Sequence, residues 1–257
     1  MSKEMETAEL MEHCKKAINE IENTLLGMSV ADKKMRKRAM LIGYWLKTYI
    51  KFIRNEDTFS PEKVYRLKRG SVVQVEFGYR IGSELGGKHY AVVVDAKNEM
   101  KANTVTVVPL GSIKEKTKDD ENRAILKSGV YELVSRKLNV LIEDAKETIS
   151  EVEKMREDIA RTSNDEEIMK KKTILRQKTE DANKLLAQAK MWSEEMEHMK
   201  EGSVALIGQI TTISKMRITA PLKKTHPLYG TILTPEDLYK IDNKLLERYF
   251  KKIEHNA

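Results

Sequence analysis

Apolar residues in the first part of the chain recur at three- and four-residue steps. Leu10, Cys14, Ile18, Ile21 and Leu25 form one stripe and predict an amphipathic helix over residues 5–26. Leu41, Trp45, Tyr49 and Phe52 form a second, predicting a helix over roughly 30–55 with Ser29 as its cap. Ser60-Pro61 ends this region, because a residue before proline is pushed out of the helical conformation. The period then shortens to two. Ser71–Phe77, Tyr90–Asp95 and Thr104–Leu110 are β-branched, alternating runs that predict strands, the last closed by Pro109 and Gly111. Four glycines between Gly78 and Gly87 predict a loop whose backbone bends sharply or approaches a ligand closely. From Val134 the spacing is near-heptad, breaks at Arg161–Asp165 and resumes from Ile168 to Met199, which predicts an antiparallel helical hairpin. Its Met and Trp positions read as core. Ser203–Ile213 returns to strand texture. Thr234-Pro235-Glu236-Asp237 then starts a last helix, with threonine as cap, proline in the first turn and carboxylates at the helix N-terminus. Leu238, Ile241, Leu245 and Tyr249 are its expected buried face.

Composition adds limits to this outline. With 257 residues and a 40% hydrophobic fraction, the chain is long enough for a real core in one domain or two. The single Cys14 has no internal disulfide partner, which fits a reducing cytoplasmic setting, and its place on a helical stripe reads as packing. No long apolar run and no apolar leader occurs, so neither a membrane span nor a signal peptide is expected. The net charge of +7 is uneven: residues 131–201 hold 14 Lys/Arg against 17 Asp/Glu, and the remainder holds 33 against 23. A basic body suits a polyanion, although charge alone leaves nucleic-acid binding and plain solubility both open. The basic run Lys33-Lys34-Met35-Arg36-Lys37-Arg38 is open in the same way, as a phosphate contact or a solvated helix face. His13, His89, His198, His226 and His255 show no ligand spacing, so no metal and no other cofactor is expected.

Four pieces, taken in order, carry a family likeness. Arg69–Val94, read as R-G-S-V-V-Q-V-E-F-G-Y-R-I-G-S-E-L-G-G-K-H-Y-A-V-V-V, resembles the opening of the PemK/MazF toxin family. Thr104–Ser112 (T-V-T-V-V-P-L-G-S) resembles the family's next strand, Ser203–Arg217 the strand and turn with a glutamine and basic residues, and Thr234–Tyr249 its closing helix. The resemblance implies an α+β fold: a small SH3-like or CcdB-like β-barrel interrupted by a long antiparallel helical hairpin and preceded by N-terminal helices. The expected division is an N-terminal helical extension over 1–60, a barrel domain over 61–130 and 202–257, and a coiled-coil insertion over 131–201.

The same resemblance implies a toxin that cleaves single-stranded RNA without a metal, by attack of the ribose 2′-OH on the adjacent phosphorus. It also implies a cognate antitoxin protein and a homodimer. Such chemistry needs a base near the 2′-OH, a donor for the leaving oxygen and groups that stabilise the phosphorane. Carried onto this sequence, His89 stands where the family has a catalytic arginine, and a histidine can exchange a proton near neutrality. Gly111 stands at the family's threonine or serine, with Ser112 directly after it, and Arg217 matches a later basic position. His89, Ser112 and Arg217 are therefore the catalytic candidates. Ser83, Glu84, Gly86, Gly87, Lys88, Gln209 and Thr211 are the candidates for RNA contact. Gly208 and Thr211 replace an acid and an arginine of the family pattern. These losses keep open a member that binds RNA or a protein target without cutting, including a topoisomerase inhibitor of the CcdB kind. The hairpin reads as a surface for self-association or antitoxin binding, as a reach toward a larger target, or as a tolerated spacer.

Overall fold

The structure, a computed structural model, describes residues 5–250; His255 and the extremities of the first and last expected spans lie outside them. The chain is α+β and divides into two compact units. One holds α1 (Thr7–Ser29), α2 (Lys33–Asn55) and the loop Phe77–Gly87; the other runs from Ser60 through the sheet and the hairpin.

In the first unit, α1 and α2 appear where the apolar stripes predict them, but the cap between them differs. Asp32, not Ser29, caps α2, accepting from the backbone N–H groups of Lys34 and Met35 at 2.8 and 3.0 Å. Ser29 is the last residue of α1 and donates to the Leu26 carbonyl. Neither helix has a buried residue.

The second unit is built on a seven-stranded antiparallel sheet that does not close on itself. Its strands are β1 (Val72–Glu76), β2 (Lys88–Val93), β3 (Thr104–Ser112), β4 (Ala124–Ile125), β5 (Ser203–Ala205), β6 (Thr211–Ser214) and β7 (Ile218–Ala220). They lie in the order β4-β5-β3-β2-β1-β7, with β6 also on β3. Strand β3 is the common element. Its Val107–Leu110 stretch pairs with β2, and its other edge is shared by β5 at Leu110–Ser112 and by β6 at Thr104–Val107.

That shared edge explains two departures from the expected strands. Strand β3 runs through Pro109 rather than stopping there. The N and O of one residue in an antiparallel strand point to the same edge, and the Pro109 carbonyl accepts from Leu206 N–H on the β5 side. The missing proline donor therefore falls where the ladder is interrupted, between β5 and β6. The run Ser203–Ile213 is likewise two strands, bent by a 3-10 turn at Ile207–Gln209, because one continuous strand cannot follow both halves of this edge.

The hairpin leaves after β4 as α3 (Val130–Arg161), turns at an Asn164 cap and returns as α4 (Asp165–Met196). Val134, Leu141, Ala145 and Val152 of α3 meet a buried face of Ala182, Ala189, Trp192 and Met196 on α4, so the Met and Trp stripe is core. Trp192 Nε1 donates to the Thr225 carbonyl at 2.6 Å. Lys137 Nζ donates to the carbonyls of Pro227 and Tyr229, both at 2.7 Å, and to Thr231 Oγ1; burial lowers its pKa. The hairpin is thus fixed to the sheet's covering segment near its root.

The closing helix α5 (Pro235–Tyr249) starts at Thr234, whose Oγ1 accepts from Asp237 N–H. Ile241 is fully buried and Leu238 and Leu245 partly so, whereas Tyr249 is about half exposed and reaches the Ile207 carbonyl through its hydroxyl. Asp237 is only 1% exposed, and its carboxylate accepts from Lys127 N–H at 2.7 Å, Ser128 N–H at 3.0 Å and the Thr234 hydroxyl. It joins α5 to the turn that precedes α3. Removing it leaves two backbone donors unsatisfied in the interior. Asp237→Ala is expected to lower unfolding free energy by about 3 kcal/mol in urea titration, against under about 0.5 kcal/mol for the exposed Glu236→Ala.

Candidate functional site

The registers bring part of the candidate set to one end of the sheet. His89, half-buried near the start of β2, is the Cα partner of Val75 on β1, and Val75 is in turn the partner of Ile218 on β7. Arg217 immediately precedes Ile218, as the last residue of the 3-10 turn Lys215–Arg217. His89 and Arg217 therefore share a sheet end with two strand spacings between their strands, about 10 Å. A β-bulge lies within this row: Gln74 pairs with Ala220 and Val75 with Ile218, so Thr219 is the extra residue. Its hydroxyl donates toward the Gln74 side chain and lies 3.3 Å from the Gln74 carbonyl.

On the other side of β2, β3 arrives at the same end with Gly111 and Ser112. Tyr90 pairs with Leu110. Successive strand residues face opposite ways, so His89 shares its face with Pro109 and Gly111, while Ser112 shares the face of Tyr90 and Leu110. Ser112 is half-buried and pairs with Ser203 on β5. The end of β3 thus offers His89 a glycine on its own face, and places the serine hydroxyl on the other.

Gln209 and Thr211 lie elsewhere. Gln209 ends the 3-10 turn between β5 and β6, its N–H bonded to the Leu206 carbonyl. Thr211 pairs with Val107, four residues along β3 from Gly111, or about 13 Å. The turn at Gly208 is crowded: a Cβ there would stand 3.1 Å from Asn122 Oδ1 and 3.4 Å from an Arg248 guanidinium nitrogen. A guanidinium from α5 therefore stands beside Gly208, one of the two positions that lack the family's charged groups. Only the tertiary fold reveals this, since Arg248 lies far along the sequence.

α5 carries a basic stripe of Lys240, Lys244 and Arg248. Asp119 pairs with Lys240 and, at 2.7 Å, with Lys244, while Glu121 reaches Arg248 at 4.0 Å. Burial opposes ionisation of Asp119, but the two lysines outweigh it and hold its carboxyl below the usual range.

The glycine-rich loop belongs to the first unit and has a narrow neck and an exposed tip. Phe77 N–H donates to the Gly87 carbonyl at 2.9 Å, and Gly87 N–H to the Gly78 carbonyl at 2.7 Å. A Cβ on Gly86 would sit 2.7 Å from that Gly78 oxygen, so the neck excludes a side chain. Ser83 and Glu84 are exposed at the tip, as is Gly87 at the neck, with Lys88 exposed where β2 begins. Glu84 pairs with Arg80 at 3.6 Å, and Arg80 Nε also donates to the Phe77 carbonyl at 3.2 Å. Arg80 is a guanidinium held in place within the loop, which the R-I-G-S sequence could have flagged. Arg38 of the basic run donates to the Tyr79 hydroxyl. Gly78 has φ +79°, and a Cβ there would lie 2.6 Å from the Trp45 ring. Gly78→Ala is therefore expected to destabilise this unit by about 2 kcal/mol or more and to shift Trp45 emission, read by fluorescence during urea unfolding.

Among the described residues no group of His, Cys, Asp and Glu could hold a metal ion, and no helix is long and apolar enough to cross a membrane. Residues 68–177 match the sequence model of the PemK-like, MazF-like toxins of type II toxin-antitoxin systems. The matched span begins just before β1, includes β1–β4 and α3, and ends within α4. No curated protein matches the chain. On this match, residues 68–177, with the first four strands of the sheet, are similar to the PemK-like, MazF-like toxins of type II toxin-antitoxin systems.

Proposed function

We propose that this chain is a toxin, an endoribonuclease that cuts single-stranded RNA without a metal. The observation that carries the reading is the row His89–Val75–Ile218, which puts a proton-exchanging side chain and a guanidinium at one sheet end. In the proposed reaction His89 accepts the proton of a ribose 2′-OH. The oxygen attacks the neighbouring phosphorus, the bond to O5′ breaks, and water protonates the leaving oxygen. The products are a 2′,3′-cyclic phosphate and a 5′-OH. Arg217 stabilises the charge on the phosphorane. Ser112, at the adjacent strand end but on its other face, stays in the proposed catalytic set on the family resemblance alone. Ser83, Glu84, Gly86, Gly87, Lys88, Gln209 and Thr211 remain the proposed RNA contacts. A cytoplasmic setting, a cognate antitoxin and a homodimer belong to the same proposal. Within it, the sheet is the effector domain, and the acidic hairpin over 131–201 is a protein-binding insertion rather than an RNA contact.

A second reading has its own support. Strand alternation separates Ser112 from the face of His89, and Gly208 and Thr211 carry no charge. That combination favours a member that binds RNA or a protein target without cutting.

Incubation of the full chain with a long single-stranded RNA in EDTA separates the two. Cleavage by the parent chain that falls at least about 100-fold in His89→Ala supports the nuclease. Intact RNA with measurable binding supports the alternative and overturns the nuclease.

A further inference from the structure

α2 presents a surface that the sheet-end reaction does not use. Lys33, Lys37, Met40, Tyr44, Lys47, Lys51 and Arg54 recur at alternating four- and three-residue steps, which is one continuous helix face. All seven are exposed, Tyr44 at 64%. The stripe extends about 32 Å at 1.5 Å per residue.

The charge on α2 differs in kind from that of the other helices. Its 23 residues contain eight Lys/Arg and no Asp/Glu. On the hairpin, Lys146, Lys170, Lys171, Lys178 and Lys184 are each paired with a carboxylate, as are all three cations of the α5 stripe. None of the α2 stripe cations forms an ion pair among the described residues. A merely solvated face, such as those of the hairpin, mixes both signs. An unneutralised row interrupted by an exposed tyrosine instead has the composition of a single-stranded nucleic-acid track, where cations follow the backbone and an aromatic ring stacks on a base.

We propose that the exposed face of α2 is a binding site for the phosphate backbone of single-stranded RNA, with Tyr44 stacking on a base. The site extends the proposed function by adding a second contact with the same class of substrate. It is tested without cleavage.

The probe is a fluorescent 2′-O-methylated RNA 20-mer, titrated by anisotropy with the full chain in EDTA between 50 and 200 mM NaCl. Charge reversal at Lys37, Lys47 and Lys51 together is expected to weaken binding at least about tenfold. It should also shrink the slope of log affinity against log salt by about 2, since each single-strand phosphate contact contributes about 0.7. Tyr44→Ala is expected to weaken binding at least about fivefold and leave the slope alone. Circular dichroism melts check that the exposed substitutions leave folding intact, and Lys→Gln at the same three positions gives a neutral second variant.

Unchanged affinity and slope in both triple variants would overturn the site, even if the parent chain cuts RNA. So would loss of binding to a poly-glutamate probe with none to RNA, which would make the face a protein contact. Conversely, a chain that cuts nothing but shows the slope change retains this site and loses the proposed nuclease.

Discussion

The sheet can be completed only where the chain comes back to it at Ser203, and a few hydrogen bonds at the root of the hairpin fix that return. Ser203 Oγ accepts from Val130 N–H at 3.1 Å, its carbonyl accepts from Leu126 N–H at 3.0 Å, and Gly202 N–H donates to Glu132 Oε1 at 3.0 Å. Gly129 makes the junction feasible, because a Cβ there would stand 2.8 Å from Ser203 N and 2.9 Å from Ser203 Oγ. The departing and returning strands therefore meet edge to edge, Ala124 with Ala205 and Ile125 with Val204. Once the ends are held, the length between them matters little: doubling a flexible loop costs only about 0.6 kcal/mol, and here the excursion is two rigid helices. Beyond its root, the insertion can vary in sequence without disturbing β5, and β5 in turn holds the end of β3 on which Gly111 and Ser112 lie.

This arrangement separates the molecule's charges by use. On the hairpin about half of the cations, and on α5 the whole basic stripe, are matched by carboxylates, as Lys240 and Lys244 are by Asp119. Lys137 is half-buried against carbonyls and an aromatic ring and ties the hairpin down. α2, by contrast, carries eight Lys/Arg and no carboxylate of its own. In the proposed scheme, polyanion binding on α2 and catalysis at the sheet end are two tasks with different residues, and one can fail without the other.

Much of the fold was legible because it follows from periodicity. The helical hairpin, the first three strands and the Thr234 start of α5 need only local pattern and cap chemistry. What escaped was set by tertiary partners. Pro109 looks like a strand end until Leu206 supplies the bond its carbonyl needs, and Ser203–Ile213 looks like one strand until β3 splits it. Ser29 looks like a cap, but Asp32 stands closer to the helix start and offers a carboxylate to two N–H groups. For the site, the sequence named His89 and Arg217, whose common sheet end follows from the β1 register rather than from their spacing. It did not reveal that Ser112 faces away from His89, since alternation relative to a partner strand is invisible without the register. Nor did it indicate Arg248 beside Gly208, a contact made across the fold.

The central claim is that the chain breaks RNA through the ribose hydroxyl. The direct measurement is to incubate the full chain in EDTA with a single-stranded RNA and with a fully 2′-O-methylated copy of the same sequence, and to determine the ends of any products. The account predicts that the RNA is cut to 2′,3′-cyclic phosphate and 5′-OH ends while the methylated copy stays whole. Cutting of both strands, or products bearing 5′-phosphates, would contradict it.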